Sequence, residues 1–156
     1  MTHKFSLSVQ YAVDAAHLPT RQQFRRWLQS ALQQDVHVVL RIVDKAEGRK
    51  LNKDFRGKDY ATNVLTFVYD THPLSGDIII CAPVAATEAR QQRKELSAHY
   101  AHLVLHAALH LQGYDHENEA DAQTMEALET ALLAKLRYAD PYRSKPPEVK
   151  DGPNQQ

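Results

Sequence analysis

The run His106-Ala-Ala-Leu-His110-Leu-Gln-Gly113-Tyr-Asp-His116 holds three histidines at spacings that suit a metal ion. Histidines four apart on a helix project from one face, with about 6 Å of axial rise between them. Their imidazoles can therefore converge on one ion at about 2.0–2.1 Å. Gly113 stands where the helix should stop, since glycine takes the left-handed conformation at little steric cost. The chain can then double back and bring His116 to a third position. Three neutral nitrogens and an open fourth position describe a catalytic zinc, because a structural site is closed by a fourth side chain. His102 lies one more turn upstream, about 12 Å along the axis from His110, and reads as a supporting or surface residue. His3, His17, His37, His72 and His99 have no such spacing.

The same spacing occurs in the metzincin peptidase pattern H-E-x-x-H-x-x-G-x-x-H, except at one position. Where that pattern carries its glutamate base, this chain has Ala107. Alanine cannot take a proton from water, so peptide hydrolysis by that route is disfavoured, although Asp115 or Glu117 could in principle substitute. Met125, downstream as a Met-turn would be, falls on a helical stripe and reads as core. Charge is unevenly placed although the net charge is +0: Lys45, Arg49, Lys50, Lys53, Arg56 and Lys58 stand against Glu47 and Asp54. From Glu95 to Ala134 there is no Lys or Arg. The first block suits phosphates and the second a cation, unless both are simply solvated faces.

These residues need elements to hold them. Phe5, Leu7, Val9 and Tyr11 alternate with polar residues as a half-buried strand does, and Val36, Val38, Leu40 and Ile42 line one face of a second strand. Pro19-Thr20 opens an amphipathic helix with Phe24, Trp27, Leu28 and Leu32 on one stripe. A short basic helix spans about Lys45 to Phe55, followed by a loop through Gly57. Val64–Tyr69 and Asp77–Cys81 are β-rich, joined by the turn-forming stretch Asp70–Gly76. Helices are expected over Ala85–Arg93, His99–Leu111 and Asn118–Leu136, the last capped by Asn118 with Asp121 and buried through Met125, Leu128 and Leu132. The order predicts a single α/β (α+β) domain: a small mixed sheet of about four strands covered by about five helices. Lone Cys81 sits in a buried-looking strand, and an unpaired thiol suits a reducing cytosol. No secretory signal or membrane-length apolar run is present, so the expected location is cytoplasmic. From Tyr138 onward four prolines and many polar residues predict loose packing or disorder.

Three blocks of the chain resemble the YbeY family of bacterial metal-dependent endoribonucleases. The histidine run is similar to that family's HGxLHLxGYDH, Asn52-KDFRGKDYATNVLTF to its arginine loop and following strand, and Ser75-GDIIIC to its Gly-Asp-Ile strand. Departures are Ala61 and Val68, where proline is usual, and Thr66, where serine is. The resemblance covers about residues 1–142, taken as the endoribonuclease domain. It leaves 143–156 without a counterpart, as a flexible tail. It implies a zinc-containing, single-strand-specific endoribonuclease of the cytoplasm, acting in maturation of the 16S ribosomal RNA 3′ end and in ribosome quality control. One zinc per chain would fall on His106, His110 and His116, and the functional arginine on Arg56. The chemistry agrees: phosphodiester cleavage builds charge that zinc and a guanidinium can stabilise, and zinc acidifies water without a glutamate. Lys50, Lys53 and Lys58 would attract single-stranded RNA, with Tyr60 as a stacking face for bases and Phe55 assigned to the core. Other readings are a ribosome-associated assembly factor with non-catalytic zinc, and a metalloprotease-like hydrolase.

Overall fold

The computed structural model describes residues 3–115 and 117–142. Four strands, β1 (Phe5–Tyr11), β2 (Val36–Val43), β3 (Val64–Thr71) and β4 (Leu74–Cys81), form one mixed sheet in the order β1-β2-β4-β3. The β1-β2 and β2-β4 pairs are parallel and β3-β4 is an antiparallel hairpin. Five helices complete the domain: α1 (Arg21–Ala31), α2 (Lys45–Arg56), α3 (Ala82–Gln91), α4 (Leu96–Leu111) and α5 (Glu119–Lys135). Fold class and element order are as the sequence predicts.

Strand alternation divides the interior in two. Val36, Val38, Leu40 and Ile42 of β2, with Leu74, Ile78 and Ile80 of β4, face the larger core, which holds Phe24 and Trp27 of α1 and most of α4. Ile79 and Cys81, the alternate residues of β4, face a smaller cluster with Leu65, Phe67 and, from α2, Leu51. Helix α4 is the central helix of the larger core: from His99 to Leu111 every residue is buried except His102, His106 and His110. Those three, at i, i+4 and i+8, are its one half-open stripe.

Local signals account for the ends of the elements. Thr20 and Gln23 form a reciprocal capping box at α1, and Asn118 accepts from the Asp121 amide at α5. At the end of α4 the Gly113 amide bonds the His110 carbonyl and the Tyr114 amide bonds the Leu109 carbonyl. This is a Schellman turn, and it needs the positive φ of 101° at Gly113.

Several expectations are corrected. The long turn over Asp70–Gly76 shrinks to His72-Pro73, because Asp70, Thr71, Leu74 and Ser75 extend the two strands. Gly76 is also a strand residue: a Cβ there would lie 2.4 Å from the Phe67 carbonyl oxygen, so the close approach of β3 requires glycine. Helix α3 starts earlier than expected, with Pro83 in its first turn, where a missing N–H breaks no hydrogen bond. The buried residues of α5 are Met125, Glu129 and Leu133, with Leu128 and Leu132 at the margin. Residues 138–142 are tied to the domain at two points although Ala139 and Asp140 are exposed: Tyr138 lies edge-on to Trp27 with ring centroids 6.2 Å apart, and the Tyr142 hydroxyl bonds Glu129. Residues 143–156 lie outside the described residues.

Candidate active site

Imidazole rings of His106 and His110 stand nearly parallel on α4, their centroids 6.4 Å apart. Each ring is oriented through Nδ1. His110 Nδ1 lies 3.1 Å from the Tyr114 carbonyl oxygen, which the Schellman turn folds back over the helix end. His106 Nδ1 bonds the Glu129 carboxylate. Glu129 comes from α5 and its side chain is wholly buried. Its other oxygen accepts from His102 Nε2 at 2.9 Å and from the Tyr142 hydroxyl. Burial alone would push the Glu129 carboxyl up, but hydrogen bonds from His102, His106 and Tyr142 outweigh it and hold the pKa at about 2. The group is therefore an anion at neutral pH. Tyr142 is shifted upward, first by burial and then by its bond to that anion.

These contacts decide which ring nitrogen carries the proton. An ionised carboxylate and a peptide carbonyl only accept hydrogen bonds, so the nitrogens facing them are N–H donors. In the neutral imidazole the lone pair is then on Nε2 in both His106 and His110. Paired acceptors behind the ring are the usual support of a metal-binding histidine. His106 and His110 thus offer two nitrogen donors of the kind that zinc takes. Among the described residues no group of three His, Cys, Asp or Glu side chains is disposed to hold a metal. His116, the expected third ligand, lies outside those residues.

Arg56 ends α2 and is attached to β3. Its Nη2 donates to the Thr66 carbonyl at 2.5 Å and its guanidinium lies 4.9 Å from the centroid of the Phe67 ring. Helix α4 packs against that same strand. The basic block is less uniform than its composition suggests, because Arg49 pairs with Asp59 at 2.7 Å and Lys50 with Asp54 at 2.9 Å. Lys53 and Lys58 are exposed. Tyr60 is exposed, and its carbonyl accepts from the buried Asn52 amide at 2.8 Å. Phe55, expected in the core, is 65% exposed and meets Phe67 edge-on. Ala107 is fully buried, so the position of the metzincin base belongs to the core.

Sequence reasoning missed Glu129 and Tyr142, and left the role of His102 open. A signal for Glu129 existed, since it stands four residues after Met125 and four before Leu133 on one apolar stripe. It also missed a buried joint: His99 Nε2 lies 2.9 Å from Glu88 of α3, whose carboxylate is in turn bonded by Asn63 just before β3.

Comparison with known proteins places the chain among endoribonucleases, hydrolases that cut RNA internally. The family Endoribonuclease YbeY matches residues 9–137, and the chain belongs to that family. Curated relatives called Endoribonuclease YbeY include one from Nitrosomonas europaea, 58% identical over 137 residues, covering 87% of this chain and 84% of that protein. One from Nitrosomonas eutropha is 56% identical over 137 residues, with 87% and 97% covered. The solution structure of TM1509 from Thermotoga maritima matches with a TM-score of 0.57 at 25% identity, covering 84% of this chain and 91% of that one. The substrate is accordingly RNA. No described helix is long and apolar enough to cross a membrane.

Proposed function

We propose that this endoribonuclease is zinc-dependent and specific for single strands, holding one zinc per chain through His106, His110 and His116. We further assign it to 3′-end maturation of 16S ribosomal RNA and to ribosome quality control in the cytoplasm, in association with the ribosome or its small subunit. The observation that carries the metal reading is the pair of Nδ1 contacts, to Glu129 and to the Tyr114 carbonyl, which present Nε2 of both histidines as lone-pair donors. Zinc bound there would supply Lewis acidity toward a phosphoryl oxygen and toward water.

The chain's own residues would do the rest. Arg56 uses one N–H for the Thr66 carbonyl, and a guanidinium has five. Its planar fork suits two phosphoryl oxygens as charge builds on them. Exposed Lys53 and Lys58 would draw the phosphate backbone, joined by Lys50 only where its Asp54 pair opens, with Tyr60 as a stacking face for an unpaired base. Buried Ala107 offers no base for peptide hydrolysis, which weighs against the peptidase reading.

The test is elemental analysis of wild type and His110→Ala, followed by incubation with labelled single- and double-stranded RNA, with and without chelator. Wild type should hold about one zinc, H110A should lose it, and chelator should stop cleavage of the single strand. Equal zinc in both proteins would discard the ligand assignment. Metal-loaded protein that binds RNA without cutting it would point to the assembly-factor reading instead.

A further inference from the structure

Glu129 is a wholly buried carboxylate on a helix stripe otherwise made of Met125 and Leu133. A charge in such a place is retained only where several donors satisfy it. Three donors do so here, from two parts of the chain: His102 and His106 of α4, and Tyr142 beyond the end of α5. Tyr142 also meets the His102 ring edge-on, with centroids 5.3 Å apart. His102 and Tyr142 share one oxygen of Glu129, and His106 has the other. The carboxylate plane is therefore fixed from one side and fixes an imidazole on the other.

We infer that Glu129, braced by His102 and Tyr142, is a positioning residue that holds His106 in its Nδ1–H form and aims Nε2 at the metal. The inference rests on the zinc reading above. It assigns to α5 and the Pro141-Tyr142 segment a part in metal affinity, through a residue that is not itself a ligand. His110 provides an internal control, because its Nδ1 is held by a peptide carbonyl that substitution of Glu129 does not remove.

The experiment compares wild type with Glu129→Gln and Tyr142→Phe as full chains. Folding is followed by circular dichroism, zinc affinity by competition with a chelating indicator, and histidine tautomers by long-range 1H–15N spectra of the zinc-free proteins. E129Q should bind zinc about 10- to 100-fold more weakly, as loss of an outer-shell partner does elsewhere. Its His106 signals should shift from the Nδ1–H pattern to a mixture of both tautomers, because an amide can turn either its oxygen or its NH2 to the ring, while those of His110 keep theirs. Y142F should weaken binding about 2- to 10-fold, the size of one ordinary hydrogen bond. Folded E129Q with wild-type zinc affinity overturns the inference while leaving the zinc site standing. If E129Q does not fold, Y142F decides, and unchanged affinity there overturns it. Wild type that binds no zinc overturns the metal reading and this inference with it.

Discussion

Arg56 is held twice, by the Thr66 carbonyl and by the face of Phe67, both half-buried residues of β3, yet the arginine itself is exposed. Its removal should therefore cost little stability and much chemistry. Arg56→Ala is expected to keep the zinc content and lose little melting temperature, while single-strand cleavage falls by about 10²-fold or more, as with loss of one oxyanion donor. Arg56→Lys should not restore the rate, since an ammonium cannot form the bidentate fork. Elemental analysis, thermal melts and single-turnover cleavage check all three, and R56A cutting at the wild-type rate would make Arg56 a bystander. At this scale the sequence was uneven as a guide. The His106–His110 pair could be read because its spacing matches the helix period, which needs no tertiary information. Glu129 was harder to read: its place between Met125 and Leu133 on one stripe marks it out among the seven acidic residues from Glu95 to Glu129, but only packing of α5 on α4 supplies its partners. Tyr142 follows the helix end and a proline, where no period remains to predict its direction.

Helix α4 presents its histidine stripe correctly only if the helix is seated from its other end, and there the Asn63–Glu88–His99 joint ties it to α3 and to the start of β3. Burial of His99 lowers its pKa, more strongly than the bond to Glu88 raises it. The unfolded chain therefore takes up this proton first, at the ordinary histidine pKa of about 6.5. The contribution to stability is complete above that value and is lost as pH falls through the lower, folded value. Wild type should accordingly melt at lower temperature as pH is taken from above the histidine range to below it. His99→Gln, which retains a donor for Glu88, should show a shallower fall. Parallel melting curves for the two proteins across that range would remove His99 as the source. The elements themselves were legible where a period persisted, as in β1, β2 and α1. Their ends were not where a turn residue was overridden by pairing: Asp70 and Ser75 look like turn residues alone, but their strand partners recruit them into the hairpin.

Across the whole molecule the net charge is +0, so attraction to RNA must come from a local field rather than from the protein at large. The basic block of six residues overstates that field, because Arg49 and Lys50 already face Asp59 and Asp54. Exposed Lys53, Arg56 and Lys58 are clustered at the end of α2 and in the loop behind it and are the cations placed together to meet phosphates, whereas Lys45, also exposed, stands at the opposite end of the helix. Each phosphate neutralised on a single strand contributes about −0.7 to the slope of log affinity against log salt. Three contacts therefore predict a slope of about −2, against about −4 if all six basic residues engaged. Fluorescence anisotropy of a labelled single-stranded oligonucleotide, with zinc-free protein so that nothing is cut, measures that slope directly. A value near −4 would mean that the Arg49 and Lys50 ion pairs open to receive RNA. A value near zero would mean that this block is a solvated face and that the strand is held elsewhere. The expected slope of about −2 should fall by about 0.7 in Lys53→Ala, whereas neutralising Arg49 should leave it unchanged, because that guanidinium is already paired.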